Sequence, residues 1–163
     1  MVTNFHDLYQ KYAQDVYRFA YWLCGNTQDA EDITSETFVR ALTVPDQIRA
    51  ETVKGYLLTI AKNLAYKKNK RDQRLVPMDS EITSSLDEPA KSAETSGSLQ
   101  HAMRFMQTLH PIDRAALVMR LQDELSYEEI ASILNISLAA TKVKIHRSRL
   151  RLSEFMHKQE ENQ

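Results

Sequence analysis

Glycine and cysteine are both scarce in this sequence of 163 residues. It has only three glycines, and they are not clustered, so neither the phosphate-binding loop of nucleotide hydrolases nor the dinucleotide-binding fingerprint can form. Activity that depends on ATP or NAD is therefore not expected, and the protein must act through the free energy of binding. Cys24 is the single cysteine, which excludes an internal disulfide, and its apolar neighbours predict a buried thiol.

Long hydrophobic runs are also missing. No run approaches the roughly 20 apolar residues that a membrane-spanning helix needs. The first ten residues, MVTNFHDLYQ, lack the basic-then-apolar pattern of a secretory signal, so we expect a cytoplasmic protein. The five histidines show neither the i, i+4 pairing nor the nearby cysteines of a zinc site, so no metal or other cofactor is expected.

The formal net charge of −1 conceals segments of opposite sign. Residues 1–42 carry three basic and six acidic side chains, whereas residues 54–74 carry seven basic and one acidic. Residues 141–152 carry five basic side chains and no acidic one. Either basic block alone is compatible with a solvated helix face. Together they favour DNA binding, because counterion release from phosphates makes local cationic surfaces the main sequence-independent source of DNA affinity.

Apolar residues at three- and four-residue steps predict three helices in the first part of the chain. These run from Phe5 to Leu23, from Thr27 to Ala41, and over about Val53 to Arg74. Thr27 is predicted to cap the second helix, and the lysines of the third are expected to project outward. The three helices form the first predicted domain, residues 1–74.

Residues 75–98 are rich in Ser, Thr, Asp, Glu and Pro and show no periodicity, which predicts an acidic flexible linker. The second predicted domain, residues 99–163, begins with a helical repeat at Leu99, and Pro111 opens its next helix. The predicted fold class is therefore all-α, with two small helical domains.

The end of the chain has a helix-turn-helix pattern. Ser126 and Glu129 have the spacing of a capping box, and Asn135 begins a turn into the last helix. Four residues of that helix are predicted to face inward, namely Thr141, Ile145, Ser148 and Leu152. The second helix of such a unit enters the major groove and presents side chains to base edges, and the basic residues of the last helix suit that role.

Two other functional classes account for the sequence less completely. An autonomous helix-turn-helix repressor or activator would use the first domain for dimerisation or sensing, but it accounts for only half of the chain. An enzyme has little support, because carboxylates such as Asp29 and Asp32 have no accompanying nucleophile and base.

Four stretches of the chain resemble segments of one known family. They are SYEEIASILNISLAATKVKIHRSRLRL, the preceding LHPIDRAALVMRLQDEL, and, upstream, DAEDITSETFVRAL and GYLLTIAKNLAYKKNKRDQR. The family that they resemble is the extracytoplasmic-function sigma factors of bacterial RNA polymerase. The first stretch resembles the helix-turn-helix that reads the minus-thirty-five element, and the second the helix before it. The third resembles the polymerase-binding helix, and the fourth the minus-ten-binding helix. The resemblance implies a factor that binds core RNA polymerase, directs it to specific promoters and aids promoter melting. It implies three partners: core RNA polymerase, promoter DNA and an anti-sigma factor.

The resemblance also implies three sets of contact residues. The polymerase set is Asp29, Glu31, Asp32, Ser35, Glu36 and Arg40. The minus-ten set is Lys62, Asn63, Tyr66, Lys67, Lys70, Arg71 and Arg74. The minus-thirty-five set is Ser137, Ala140, Lys142, Val143, Lys144, His146, Arg147 and Arg149. The loop between Leu42 and Val53 is expected to receive an unstacked base.

The sequence departs from the family pattern at several of these positions. Ser35 replaces the usual Gln, Tyr56 the usual Trp, and Lys67 a frequent Asp. In the helix-turn-helix, residues that are often Gly, Gly and Thr are Asn135, Ala139 and Ala140. Asparagine tolerates the left-handed turn conformation, so we expect an intact fold with an altered promoter preference.

Overall fold

The structure is a computed structural model that describes residues 5–43, 52–75 and 96–162. These ranges form seven α-helices and contain no β-strand, which confirms the predicted all-α class. The helices are α1 (Phe5–Cys24), α2 (Thr27–Thr43), α3 (Val53–Leu75), α4 (Ser96–Thr108), α5 (Pro111–Leu121), α6 (Tyr127–Leu134) and α7 (Leu138–Glu161). We call α1 to α3 the first half and α4 to α7 the second half. None of these helices is long and apolar enough to cross a bilayer.

Two predicted segments lie largely outside the described residues. The predicted linker covers residues 75–98, of which 76–95 are not described, while Leu75 ends α3 and residues 96–98 already belong to α4. The loop expected to receive an unstacked base is not described over residues 44–51.

Asn26, not Thr27, caps α2. The Asn26 side-chain oxygen accepts a hydrogen bond of 2.8 Å from the main-chain N–H of Asp29. The prediction that Thr27 caps this helix was therefore wrong, because Thr27 is already its first residue. Just before the cap, Gly25 takes a φ of +80°, a conformation that favours glycine, and this turns the chain from α1 into α2.

The helix-turn-helix has the predicted cap at Ser126 and the predicted turn at Asn135. The Ser126 hydroxyl accepts a hydrogen bond of 3.1 Å from the Glu129 main-chain N–H at the start of α6. Asn135 ends α6 in the left-handed conformation, with φ 55° and ψ 48°. Ser137 then caps α7, where its hydroxyl accepts a hydrogen bond of 3.0 Å from the Ala140 N–H.

One hydrophobic core runs through both halves of the molecule. Phe19 and Leu23 of α1 belong to the same buried cluster as Leu117 and Met119 of α5 and Ile130 of α6. Helix α1 contacts α4 and α5, and α3 contacts α6. Since burial of apolar surface is the dominant favourable term in folding, the halves stabilise each other in this arrangement. At the junction Cys24, which was predicted to be buried, is only half-buried.

Candidate nucleic-acid and polymerase interfaces

Helix α2 carries the whole polymerase set. Its inner face buries Ala30, Ile33 and Phe38, and the polymerase set occupies the remaining sides. Five members of the set are exposed, namely Glu31, Asp32, Ser35, Glu36 and Arg40, whereas Asp29 is half-buried. Arg40 Nε lies 3.0 Å from Glu36 Oε1, so this surface is acidic with one internal ion pair.

A groove between α2 and α3 joins the polymerase set to the minus-ten set. It is an open cavity of about 360 Å³. Its lining side chains are Asp32, Ile33, Glu36, Arg40, Leu64, Lys67, Lys68 and Arg71. The two predicted contact sets therefore form opposite walls of one surface feature.

Lys68, which belongs to neither set, links the two walls of this groove. Its Nζ lies 2.7 Å from Asp29 Oδ1 and 3.4 Å from Asp32 Oδ2. Burial opposes the charge of Lys68, but hydrogen bonding and attraction from Asp29 and Asp32 outweigh it, so the pKa of Lys68 is raised. Lys68 thus neutralises part of the polymerase set and holds α3 against α2.

The minus-ten set divides between two faces of α3. Asn63, Lys67, Lys70 and Arg71 are exposed, as predicted. Arg74 lies in α3, but its side chain is outside the described part of the chain. Lys62 and Tyr66 instead point toward the second half.

The expectation that the lysines of α3 project outward was wrong for Lys62. Its Nζ donates a hydrogen bond of 2.8 Å to the main-chain oxygen of Ile133 at the end of α6, and only 8% of the residue is exposed. Burial lowers the pKa of Lys62. One turn further along, the Tyr66 hydroxyl donates to the main-chain oxygen of Pro111 at 3.3 Å. In this arrangement the second half engages two of the residues predicted to meet the minus-ten element, Lys62 through α6 and Tyr66 through α5.

The first turns of α7 present the minus-thirty-five set. Exposed members are Ser137, Lys142, Val143, His146, Arg147 and Arg149, whereas Ala140 and Lys144 are half-buried. Thr141, Ile145 and Ser148 are buried on the inner face, as the periodicity predicted. Lys144 Nζ lies 3.3 Å from Asp113 Oδ1 of α5, so its charge is already partly neutralised within the second half.

Arg114 is a buried residue at the junction that the sequence reasoning missed. Only 7% of it is exposed, and burial lowers its pKa. Its guanidinium donates to the main-chain oxygens of Met106 (2.7 Å) and Leu109 (3.0 Å) near the end of α4. It also donates to the oxygen of Leu23 near the end of α1, at 2.7 Å. The sequence does carry one signal for the burial of Arg114. It lies three residues before the core residue Leu117, a spacing that places both residues on one helix face.

Both halves match known sequence families and solved structures. The family model of Sigma-70 region 2 matches residues 8–75, and that of Sigma-70 region 4 matches residues 99–152. The ECF RNA polymerase sigma factor SigM of Bacillus subtilis is 30% identical over 157 residues, which are 93% of this chain and 94% of SigM. The ECF sigma factor SigE of Mycolicibacterium smegmatis is 32% identical over 162 residues, or 96% of this chain but only 63% of SigE.

The fold is also found in a solved structure. The sigma factor RpoE of Bartonella quintana, in a co-crystal structure with the anti-sigma factor NepR, superposes with a TM-score of 0.77 at 24% identity. The match covers 96% of this chain and 98% of RpoE, so it includes helices from both halves.

Proposed function

The chain belongs to the extracytoplasmic-function group of bacterial sigma factors, which bind core RNA polymerase and direct it to promoters, and we propose how its two halves divide that work. Residues 1–74 bind core polymerase through the polymerase set and the minus-ten element through the minus-ten set. Residues 99–163 read the minus-thirty-five element through the minus-thirty-five set, and residues 75–98 connect the two domains.

The shared groove between α2 and α3 is the observation that carries this proposal for the first half. Asp32 and Glu36 on one wall offer an anionic surface to a protein partner, while Lys67 and Arg71 on the other offer cations to phosphates. Because the walls belong to one groove, docking of polymerase on α2 positions α3 beside the DNA that the enzyme holds.

The exposed members of the minus-ten set also suit promoter melting. Separating DNA strands opposes stacking of about 1.4 kcal/mol per base-pair step, so binding to the separated strands must offset several steps. Asn63 supplies an amide beside the cations Lys67 and Lys70, a combination that suits single-stranded DNA. Sigma factors are non-catalytic initiation factors, and we infer that this chain likewise contributes binding energy alone.

The packing of the two halves restricts access of the minus-ten set to DNA. Lys62 and Tyr66 reach DNA only if the second half leaves the face of α3 that it now covers. The proposal therefore includes a separation of the halves on polymerase. The chain by itself is then a weak promoter binder.

We further propose that an anti-sigma factor binds this chain, as NepR binds RpoE in the co-crystal structure. An apolar groove of about 150 Å³ runs across the junction, lined by Trp22 of α1 and by Met106, Leu117, Leu121 and Leu152 of the second half. A partner seated there touches both halves and holds them together. A candidate anti-sigma factor should lose affinity for a Leu121→Asp variant and keep it for Leu150→Asp, which changes an exposed leucine of α7. Equal affinity for both variants would exclude this groove.

Run-off transcription with purified core enzyme on a randomised promoter library tests the main proposal. The expected result is transcription from a subset of templates that share two elements, since the two halves read separate stretches of DNA. No transcript from any template, together with tight binding of the chain alone to duplex DNA, would favour an autonomous helix-turn-helix regulator instead.

A further inference from the structure

Asp123 is a buried carboxylate at the junction of the two halves. It lies in the loop between α5 and α6, yet only 2% of its side chain is exposed, because the first half covers it. Its Oδ1 lies 3.4 Å from Lys54 Nζ at the start of α3. Its Oδ2 is buried and has no hydrogen-bond partner among the described residues. A buried charged oxygen without a donor is energetically unfavourable, so this carboxylate opposes the packing that encloses it.

Among the described residues, the charged groups that influence Asp123 all belong to the first half. Helix α3 contributes Lys54, and α1 contributes Asp15 and Arg18. Lys54 is shared, since its Nζ also lies 3.9 Å from Asp15 Oδ2. Burial is the strongest influence and raises the pKa of Asp123 to about 6, with Asp15 raising it further and Lys54 and Arg18 lowering it.

Separating the halves removes this environment. Asp123 then returns to water, where its pKa is the ordinary 3.8, while Lys54 and Asp15 remain neighbours within the first half. A carboxyl group with a higher pKa in the packed form binds a proton more tightly there. The packed form is therefore stabilised relative to the separated form as pH falls through about 6. This stabilisation is complete only below the ordinary pKa of 3.8.

We propose that Asp123 is an acid-responsive latch, and that its protonation tightens the packing of the second half on the first. At neutral pH the buried charge weakens the packing and favours separation. Acidification favours the closed form, in which Lys62 and Tyr66 are covered. The consequence for promoter binding rests on the proposed function, whereas the latch itself depends only on the junction.

Trp22 provides a reporter for the junction. It is the only tryptophan of the chain, and its indole N–H donates to the side-chain oxygen of Gln122, one residue before Asp123, at 3.2 Å. The fluorescence of the full chain therefore follows loss of the junction in urea, while far-ultraviolet circular dichroism follows loss of helix. Both transitions are recorded at several pH values between about 5 and 7.5.

The wild-type equilibrium constant for packing is expected to rise roughly tenfold from about pH 7.5 to about pH 5. Asp123→Asn should abolish this dependence, because its amide carries no titrating charge. Asp7→Asn, which neutralises an exposed carboxylate of α1, is the matched control and should behave like the wild type. All other titratable groups are the same in wild type and in Asp123→Asn, and Asp7→Asn controls for the loss of one carboxylate, so the difference between the variants isolates Asp123.

Two further variants test the mechanism even if Asp123→Asn fails to fold. Lys54→Met removes the nearest cation, so the midpoint of the pH dependence of packing should move to higher pH. Asp15→Asn removes the nearest anion and frees Lys54, so it should move the midpoint downward. Equal pH dependence in wild type and Asp123→Asn, or midpoints that move in the same direction in the other two variants, would overturn the proposal. Neither outcome depends on whether the chain directs transcription.

Discussion

Arg114 Nη1 of α5 donates a hydrogen bond of 2.7 Å to the main-chain oxygen of Leu23 in α1, 91 residues earlier in the chain. The same guanidinium binds carbonyl oxygens near the end of α4. Because the C-terminal end of a helix carries partial negative charge, one buried cation neutralises two helix ends and joins the two halves.

Arg114→Met should lower the free energy of unfolding by about 2–4 kcal/mol, because it leaves the buried oxygens of Leu23, Met106 and Leu109 without their donor. Urea unfolding followed by circular dichroism measures the change. Arg104→Met is the matched control, since Arg104 is an exposed arginine of α4, and it should change the value by less than about 0.5 kcal/mol. Similar losses in the two variants would mean that the guanidinium does not stabilise the junction.

Much of the local structure could be predicted because caps and periodicity act over a few residues. Ser126, Asn135 and Ser137 carry their own hydrogen-bonding chemistry, so the bounds of α6 and the start of α7 could be predicted from the sequence. Asn26 and Thr27 are both good capping residues, and the choice between them depends on how the chain leaves Gly25.

The junction could not be predicted, since its contacts join residues far apart in sequence. Lys62 donates a hydrogen bond to the main-chain oxygen of Ile133, 71 positions away. Without knowledge of that partner, a lysine in a basic segment is predicted to be exposed. Asp123 likewise looks like an ordinary loop acid until α1 and α3 are placed over it. The exposure of Asn63, Lys67, Lys70 and Arg71 could be predicted, because polar and charged side chains of a helix are exposed unless a distant partner covers them.

Tyr66 gives a second prediction, at alkaline pH. Burial raises its pKa to about 12, with Arg114 lowering it and Asp113 raising it again. An acid whose pKa is raised on folding contributes stability below the ordinary value of 10.0, and that contribution is lost as pH rises through about 12. Between pH 10 and about 12, ionisation of Tyr66 should therefore lower the free energy of unfolding of the wild type by roughly 2 kcal/mol.

Tyr66→Phe should be correspondingly less sensitive to pH between about 10 and 12, as urea unfolding at several pH values will show. Tyr9→Phe, which removes the hydroxyl of an exposed tyrosine of α1, should retain the wild-type sensitivity. If both variants match the wild type, Tyr66 does not titrate as the structure implies.

Arg147 gives a prediction for promoter reading. It is exposed on α7 beside the buried Ser148, on the side that presents the minus-thirty-five set. Arg147→Ala should weaken binding of the polymerase complex by about 1–3 kcal/mol and change base preference in the minus-thirty-five element. Competition binding with a library randomised in that element measures both effects.

Arg151→Ala is the control for Arg147, since Arg151 is an exposed arginine one turn further along α7 and lies outside the minus-thirty-five set. It should leave base preference unchanged. An unchanged preference in the Arg147 variant as well would reduce Arg147 to a phosphate contact.

The polymerase set gives a fourth prediction. Changing both Asp32 and Glu36 to Lys should weaken association with core polymerase at least about tenfold, because it reverses the charge of one wall of the groove. Fluorescence anisotropy of labelled chain titrated with core enzyme measures the dissociation constant. The double change of Glu154 and Glu160 to Lys alters net charge equally on exposed positions of α7 and should leave the constant within about twofold of wild type. Equal weakening by the two double variants would indicate a response to net charge, not to this surface.

Promoter binding with and without core polymerase tests most directly the claim that this chain reads promoters only on the enzyme. A labelled promoter fragment and a scrambled duplex are titrated with the chain alone, with core enzyme alone, and with both together. The expected result is little discrimination by either protein alone and a preference of at least about 10³-fold for the promoter when both are present. Full discrimination by the chain alone, with no stimulation by core enzyme, would contradict the account.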